Sequence, residues 1–214
     1  MCGRYRLKDP RKAFDWLEVE PSFEWKPRFN VAPAQPVPVV SGAGEIQGMT
    51  WRIIPGWTRE RRPLINARAE TVREKTSFKE SFIRRRCLVP ADGFYEWTKI
   101  AKRPHLFTLN NDDVFAIAGF WETAGDVARC CLLTTSANSL LEPIHDRMPV
   151  IVRREDWAEW FSPGDLLDES FQRIMAPYRA EEVTSLAVSP VVNNARVDDP
   201  RCCEPAQPTL ELGF

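Results

Sequence analysis

Apolar positions along the chain fall mostly into short β-type runs, interrupted by a few helical faces. Asp9-Pro10 reads as an N-cap followed by proline at the first helical position. Ala13, Phe14 and Leu17 then share one face, which predicts a short helix over roughly residues 10–19. The next stretch, FEWKPRFNVAPAQPVPVV, carries four prolines, which forbid a helix and predict an irregular loop leading into a strand. Runs rich in β-branched and aromatic residues follow: EIQGMTWRII, the LVP and FYEW portions of CLVPADGFYEW, HLFTL, VFAIAGFW, ARCCLLTT and MPVIV. Most are separated by polar or Gly-containing turns, the signature of a predominantly antiparallel β core. Helical patterns interrupt it from Glu70 to Arg86 and from Glu155 to Phe161, where Pro163-Gly164 stops the second. With no internal repeat and no long linker, the pattern predicts one α+β domain over residues 1–194 and an extended tail over 195–214 with a mobile end.

Composition narrows the function classes. The net charge of -1, from 29 basic and 30 acidic residues, excludes a histone-like binder, so any affinity for nucleic acid must come from a local patch. No apolar run approaches the roughly 18–20 residues needed to cross a bilayer, and MCGRYRLKDP has no signal-peptide core; the expected location is the cytoplasm. The cysteines, at 2, 87, 130, 131, 202 and 203, form no C-x-x-C pair and read as reduced thiols. Neither His105 nor His145 lies near a cysteine pair, so no metal site and no cofactor are expected.

Cys2 follows Met1 directly. Removal of the initiator methionine is usual before a small side chain, and would leave a cysteine bearing a free α-amine beside its thiol. With a reference pKa of about 7.7–8.0, a useful fraction of that amine is neutral near physiological pH; the thiol, normally about 8.5, is expected to be lowered by cations such as Arg4. An aldehyde attacked by the amine gives a Schiff base, and the thiol can close on the imine carbon as a five-membered thiazolidine. Position alone fits an ordinary cysteine as well. Glu96 sits among Phe94, Tyr95 and Trp97, where desolvation raises a carboxyl pKa and suits it to proton transfer; taken alone, it also fits an arginine-paired carboxylate.

RFNVAP, WRIIPGW from Trp51, LINARAET from Leu64, PADGFYEW from Pro90 and IHDRMPVI from Ile144, read with the leading MCGR, resemble the SRAP family, the SOS response-associated peptidases. The resemblance runs from Cys2 to about Asn194 and implies a barrel-like β core with peripheral short helices. It implies that Cys2 condenses with the ring-opened aldehyde of an abasic deoxyribose in single-stranded DNA, that Asn66 holds the amine and the sugar, and that Glu96 and His145 handle protons. It also implies Glu96-assisted reversal, lyase-like chemistry and autoproteolytic removal of Met1. Arg4, Asn30, Pro33, Arg68, Phe94, Trp97, Thr134 and Arg147 become the expected DNA contacts, with Arg59, Arg61, Arg62 and Arg84 to Arg86 as a possible basic track. Arg52 stands where related sequences commonly have glycine. Gln207, Leu210, Leu212 and Phe214 loosely resemble a peptide that docks on a bacterial sliding clamp. A monomer is expected.

Three rival functions are distinguishable. N-terminal-nucleophile amidotransferases also begin MCG, but they supply an Asn-Gly dipeptide for the oxyanion, and this chain has none. A cysteine peptidase would pair Cys2 with His145 as thiolate and imidazole. A passive single-stranded-DNA module would be indifferent to loss of Cys2.

Overall fold

The computed structural model describes residues 2–21, 24–42, 44–54 and 63–207. Arg59, Arg61 and Arg62 of the basic track, and Leu210, Leu212 and Phe214 of the tail peptide, lie outside the described residues.

Two sheets make the β core. The first contains β1 (Tyr5–Leu7), β2 (Arg28–Val31), β7 (Gly93–Trp97), β8 (Pro104–Leu109) and β13 (Val183–Ala187), in the order β13-β8-β7-β1-β2 and antiparallel throughout. The second is built on β3 (Pro36–Ser41), β4 (Ile46–Trp51), β6 (Arg86–Ala91), β9 (Phe115–Ala124) and β10 (Val127–Ser136). Pairing runs β10-β4-β3-β6-β9 and back from β9 to β10, closing a five-stranded barrel whose β10–β4 contact is parallel. β5 (Asn66–Arg68) lies parallel along β10, β11 (Arg147–Pro149) is antiparallel to it, and β12 (Ile151–Val152) pairs with β9. The predicted α+β, barrel-like domain is what forms.

Alternate residues of the barrel strands are buried on both faces. Cys87, Val89, Ile117, Cys130 and Leu132 share a core with Tyr5, Phe94 and Phe107 of the first sheet. Leu88, Ala116, Ala118, Phe120 and Leu133 pack instead with Phe14, Val72, Phe82, Trp160 and Ile174 from the helices. These helices are α1 (Pro10–Leu17), α2 (Ala69–Val72), α3 (Thr76–Arg84), α4 (Trp157–Trp160) and α5 (Asp168–Met175). Strands covered on both sides read as continuous apolar runs without alternation. Trp51 and Trp160 are fully buried, whereas Trp16, Trp121 and Trp157 are half-buried against the margins of these cores.

Several elements differ from expectation. The Pro-rich stretch contains β2 and β3: Pro36 and Pro38 pair only with β4, while β6 joins β3 at Val40 and Ser41. The prolines thus occupy the half of β3 that behaves as an edge, where a missing N–H costs no ladder bond. The helix predicted from Glu70 to Arg86 is two helices, broken where Arg73 reaches out to Asp165 and Asp168 with its guanidinium over Phe171. The described part of the stretch read as a tail, from residue 195, contains the short 3-10 turn Pro200–Cys203 and, with a second turn just before it, Pro190–Asn193, forms a strap. Asp198 accepts the backbone N–H groups of Phe29 (2.6 Å) and Asn30 (2.8 Å) and pairs with Arg28. Cys202, Val188 and Val192 bury against Tyr95 and Leu106 on the outer face of the first sheet.

Candidate active site

The polar residues singled out in the sequence converge where the two sheets meet. Cys2 lies in the extended lead into β1, fully buried, with its thiol 3.8 Å from the Arg4 carbonyl. Asn66, at the start of β5, donates its side-chain amide to the Cys2 carbonyl at 2.7 Å. Its own Oδ1 is buried and accepts nothing among the described residues. Glu96 comes from the end of β7 and is only 3% exposed. His145 comes from the turn between β10 and β11 and places Nε2 3.9 Å from a Glu96 carboxylate oxygen.

Burial sets the electrostatics. It pushes the Glu96 carboxyl up to about 7, as its aromatic surroundings in the sequence suggested. The His145 imidazole is held below its usual range, again chiefly by burial. The Arg147 backbone N–H donates to His145 Nδ1 at 3.0 Å, which leaves the proton of the neutral ring on Nε2, facing Glu96. A carboxyl that is half-protonated near neutrality beside a neutral imidazole N–H can both give and take protons. The Cys2 thiol differs from expectation: burial first, and the Glu96 charge second, raise it far above the ordinary thiol range. Arg4 does not offset this, because its guanidinium points to the side chain of Asn30 (2.6 Å) and the Val192 carbonyl (2.8 Å). A raised thiol with a lowered imidazole is the opposite of the thiolate–imidazolium pair of a cysteine peptidase.

The expected DNA contacts divide. Arg68 is exposed beside the site, and Pro33 is half-buried in the turn between β2 and β3. Trp97 is half-buried, with Arg4 5.8 Å over its ring and its indole N–H on Asn193 (2.6 Å). Asn30, Phe94 and Thr134 are all three interior. The Asn30 amide donates to the Val192, Asn194 and Val197 carbonyls and so ties the strap to β2. Phe94 stacks on Phe107 at 5.3 Å within the core. The Thr134 hydroxyl is turned to the Ala67 carbonyl. Arg147 is only 12% exposed and is gripped in bidentate fashion by Glu70 (2.6 and 2.9 Å), with a further bond to the Thr134 carbonyl. Its charge is therefore largely neutralised within the protein. Of the basic track, Arg86 is buried and donates to the carbonyls of Phe82, Trp160 and Gly164, so it caps α3 and the α4 turn. Glu70 and Asn193 were not picked out from the sequence, although Glu70 lies inside the LINARAET motif; only the fold shows what each one touches.

Comparison with known proteins places this architecture. A solved structure of a Bacteroides thetaiotaomicron protein superposes with a TM-score of 0.82 at 23% identity, covering 96% of this chain and 100% of that one, and so has the same fold. The family model for SOS response associated peptidase (SRAP) matches residues 1–195. The abasic site processing protein YoqW of Bacillus subtilis is 34% identical over 222 residues, covering 95% of this chain and 99% of its own. The abasic site processing protein HMCES of Mus musculus is 28% identical over 274 residues, covering 96% of this chain and 76% of its own. The chain belongs to the SRAP family.

Proposed function

We propose that this protein processes abasic sites in single-stranded DNA by capturing the sugar aldehyde covalently on Cys2 once Met1 has been removed. The observation that carries the reading is the meeting of Cys2, Asn66, Glu96 and His145 at one sheet junction, with a carboxyl that titrates near 7. The relatives named as abasic site processing proteins support the same substrate.

The raised thiol favours an order in which the amine reacts first. A thiol held far above neutrality is a poor first nucleophile, so the α-amine attacks the aldehyde carbon and forms a carbinolamine. Protonated Glu96 gives its proton to the departing hydroxyl, water leaves, and an imine forms. The sulfur then bonds to the imine carbon while its proton passes through Glu96 to the imine nitrogen, closing the thiazolidine; the net change is loss of one water. Run backwards, the same proton path reopens the ring, which makes Glu96 the residue for reversal as well. Asn66 keeps its donor on the Cys2 main chain, and its buried Oδ1 is available to accept from the new amine.

The test is a denaturing gel of protein lacking Met1, checked by mass spectrometry, with a single-stranded oligonucleotide bearing one abasic site. A slow-migrating band is expected for the wild type and absent for Cys2→Ala and for an undamaged strand. Cys2→Ala and Cys2→Ser both retain the α-amine, so borohydride should trap an imine with either although no thiazolidine forms. An equal band with Cys2→Ala would overturn the reading.

A further inference from the structure

Beside the site stands a hairpin tip that contributes nothing to the core. Residues 98–103, between β7 and β8, read TKIAKR, with three cations and no acid. The tip is well ordered: the Thr98 N–H donates to the Arg103 carbonyl (3.0 Å), the Lys102 N–H to the Thr98 carbonyl (3.2 Å), and the Arg103 N–H to the Thr98 hydroxyl (3.0 Å). Lys102 closes the turn in the left-handed region, at φ 51°. At its apex Ile100 is 96% exposed, more than any other large hydrophobic side chain described.

A single exposed isoleucine is unremarkable by itself. Its setting gives it meaning. Glu96 and Trp97 form the base of this hairpin. Lys99 is exposed and lies three residues beyond Glu96 on the same hairpin. Arg4, Trp97, Lys102 and Asn193 line one shallow depression of about 350 Å³ that runs from the Trp97 ring to the tip. Among the described residues, Lys99, Lys102 and Arg103 make no ion pair, in contrast to Arg147, which is held by Glu70.

We propose that the 98–103 hairpin tip is a second anchor for the DNA strand, beyond the lesion. The strand leaves the site over Trp97, its phosphates meet Lys99, Lys102 and Arg103, and a base packs on Ile100. Charge complementarity and continuity with the active site select single-stranded DNA as the occupant. This rests on the proposed abasic-site function for the direction of the strand. A rigid, pre-shaped tip bears a mixed apolar and cationic surface of the kind that tracks a strand without reading sequence.

The experiment measures the affinity of the full chain for an undamaged fluorescent single strand across a salt series, in a Cys2→Ala background that forms no covalent adduct. For single strands each lost phosphate contact lowers the slope of log K against log salt by about 0.7, so K99A/K102A/R103A should lower it by about 2. Ile100→Ala should weaken binding by about fivefold with the slope unchanged. A control removing three exposed lysines elsewhere, K26A/K75A/K79A, carries the same charge change and should leave the slope near the parent value. The inference is overturned if the tip variant keeps the parent slope, or if the control loses as much. It fails separately from the crosslinking reading: a protein that forms no adduct on an abasic strand but loses its salt slope with the tip variant keeps the anchor and loses the chemistry.

Discussion

At the scale of residues, a single burial produces two opposite consequences. The same buried junction that raises Glu96 to about 7 also raises Cys2 out of reach of ordinary thiolate chemistry. An amine-first reaction tolerates this and a thiolate-first reaction does not. The junction also has a cost that can be measured. Glutamate in the unfolded chain titrates near 4.3, and the folded protein holds the same proton up to about 7. The folded state therefore binds the proton more tightly. The stability this confers is fully present below the unfolded value and is lost as pH rises through the folded one. Glu96→Gln cannot ionise, so thermal melting should show the variant gaining on the wild type between pH 5 and 8 and matching it near pH 4. Its adduct formation should fall by roughly 100-fold, the scale of one lost general acid or base. A wild type whose melting temperature tracks the variant's at every pH would mean that Glu96 is solvated.

At the scale of elements, the strap and the barrel wall are held by different means. The strap depends on individual side chains: Asp198 alone satisfies two backbone N–H groups of β2 and the Arg28 guanidinium. Asp198→Ala should cost about 1–3 kcal/mol in urea unfolding, since it leaves two backbone donors of β2 without their acceptor. The barrel wall depends on close approach. A Cβ on Gly119 in β9 would stand 2.8 Å from the Cys131 carbonyl and 3.2 Å from the Cys87 sulfur, so Gly119→Ala must push strands apart, at about 1–3 kcal/mol. This difference explains what the sequence made legible. The strands β6, β9 and β10 announce themselves as apolar runs buried by their neighbours, and β4 and β8 as shorter apolar patterns between turns. The parallel closure of β10 on β4 does not, because it joins segments far apart with no turn between them. The last stretch was legible only as an extended segment for the same reason, since its fixing bonds come from single residues at long range. Motifs at strand ends pointed to Cys2, Asn66, Glu96 and His145, which the fold brings together, and equally to Asn30, Phe94 and Thr134, which it buries. A motif marks which residues lie near a site, while strand alternation and hydrogen bonding decide which of them face it.

At the scale of the whole molecule, five of the six cysteines lie buried in three separate cores, and each can report its own region. Cys2, Cys87 and Cys130 belong to the core between the two sheets, Cys131 to the core under the helices, and Cys202 to the small cluster beneath the strap. Only Cys203 is partly exposed, with its sulfur 3.2 Å from the Tyr95 hydroxyl. The strap cluster is the smallest and hangs on Asp198 and Asn30, so it should open locally below the global transition. Pulsed alkylation read by mass spectrometry along a urea gradient should therefore label Cys203 without denaturant, then Cys202, and then the remaining four together. Arg4 binds both Asn30 and the Val192 carbonyl, so opening of the strap also releases the cation beside Trp97. The asymmetry has a structural edge: the residues around Cys2 belong to the large core between the sheets, and those beside Arg4 and Trp97 belong to the small cluster under the strap. Labelling of Cys2 together with Cys203 in native buffer would contradict this, and would mean that the sheet junction opens before the strap.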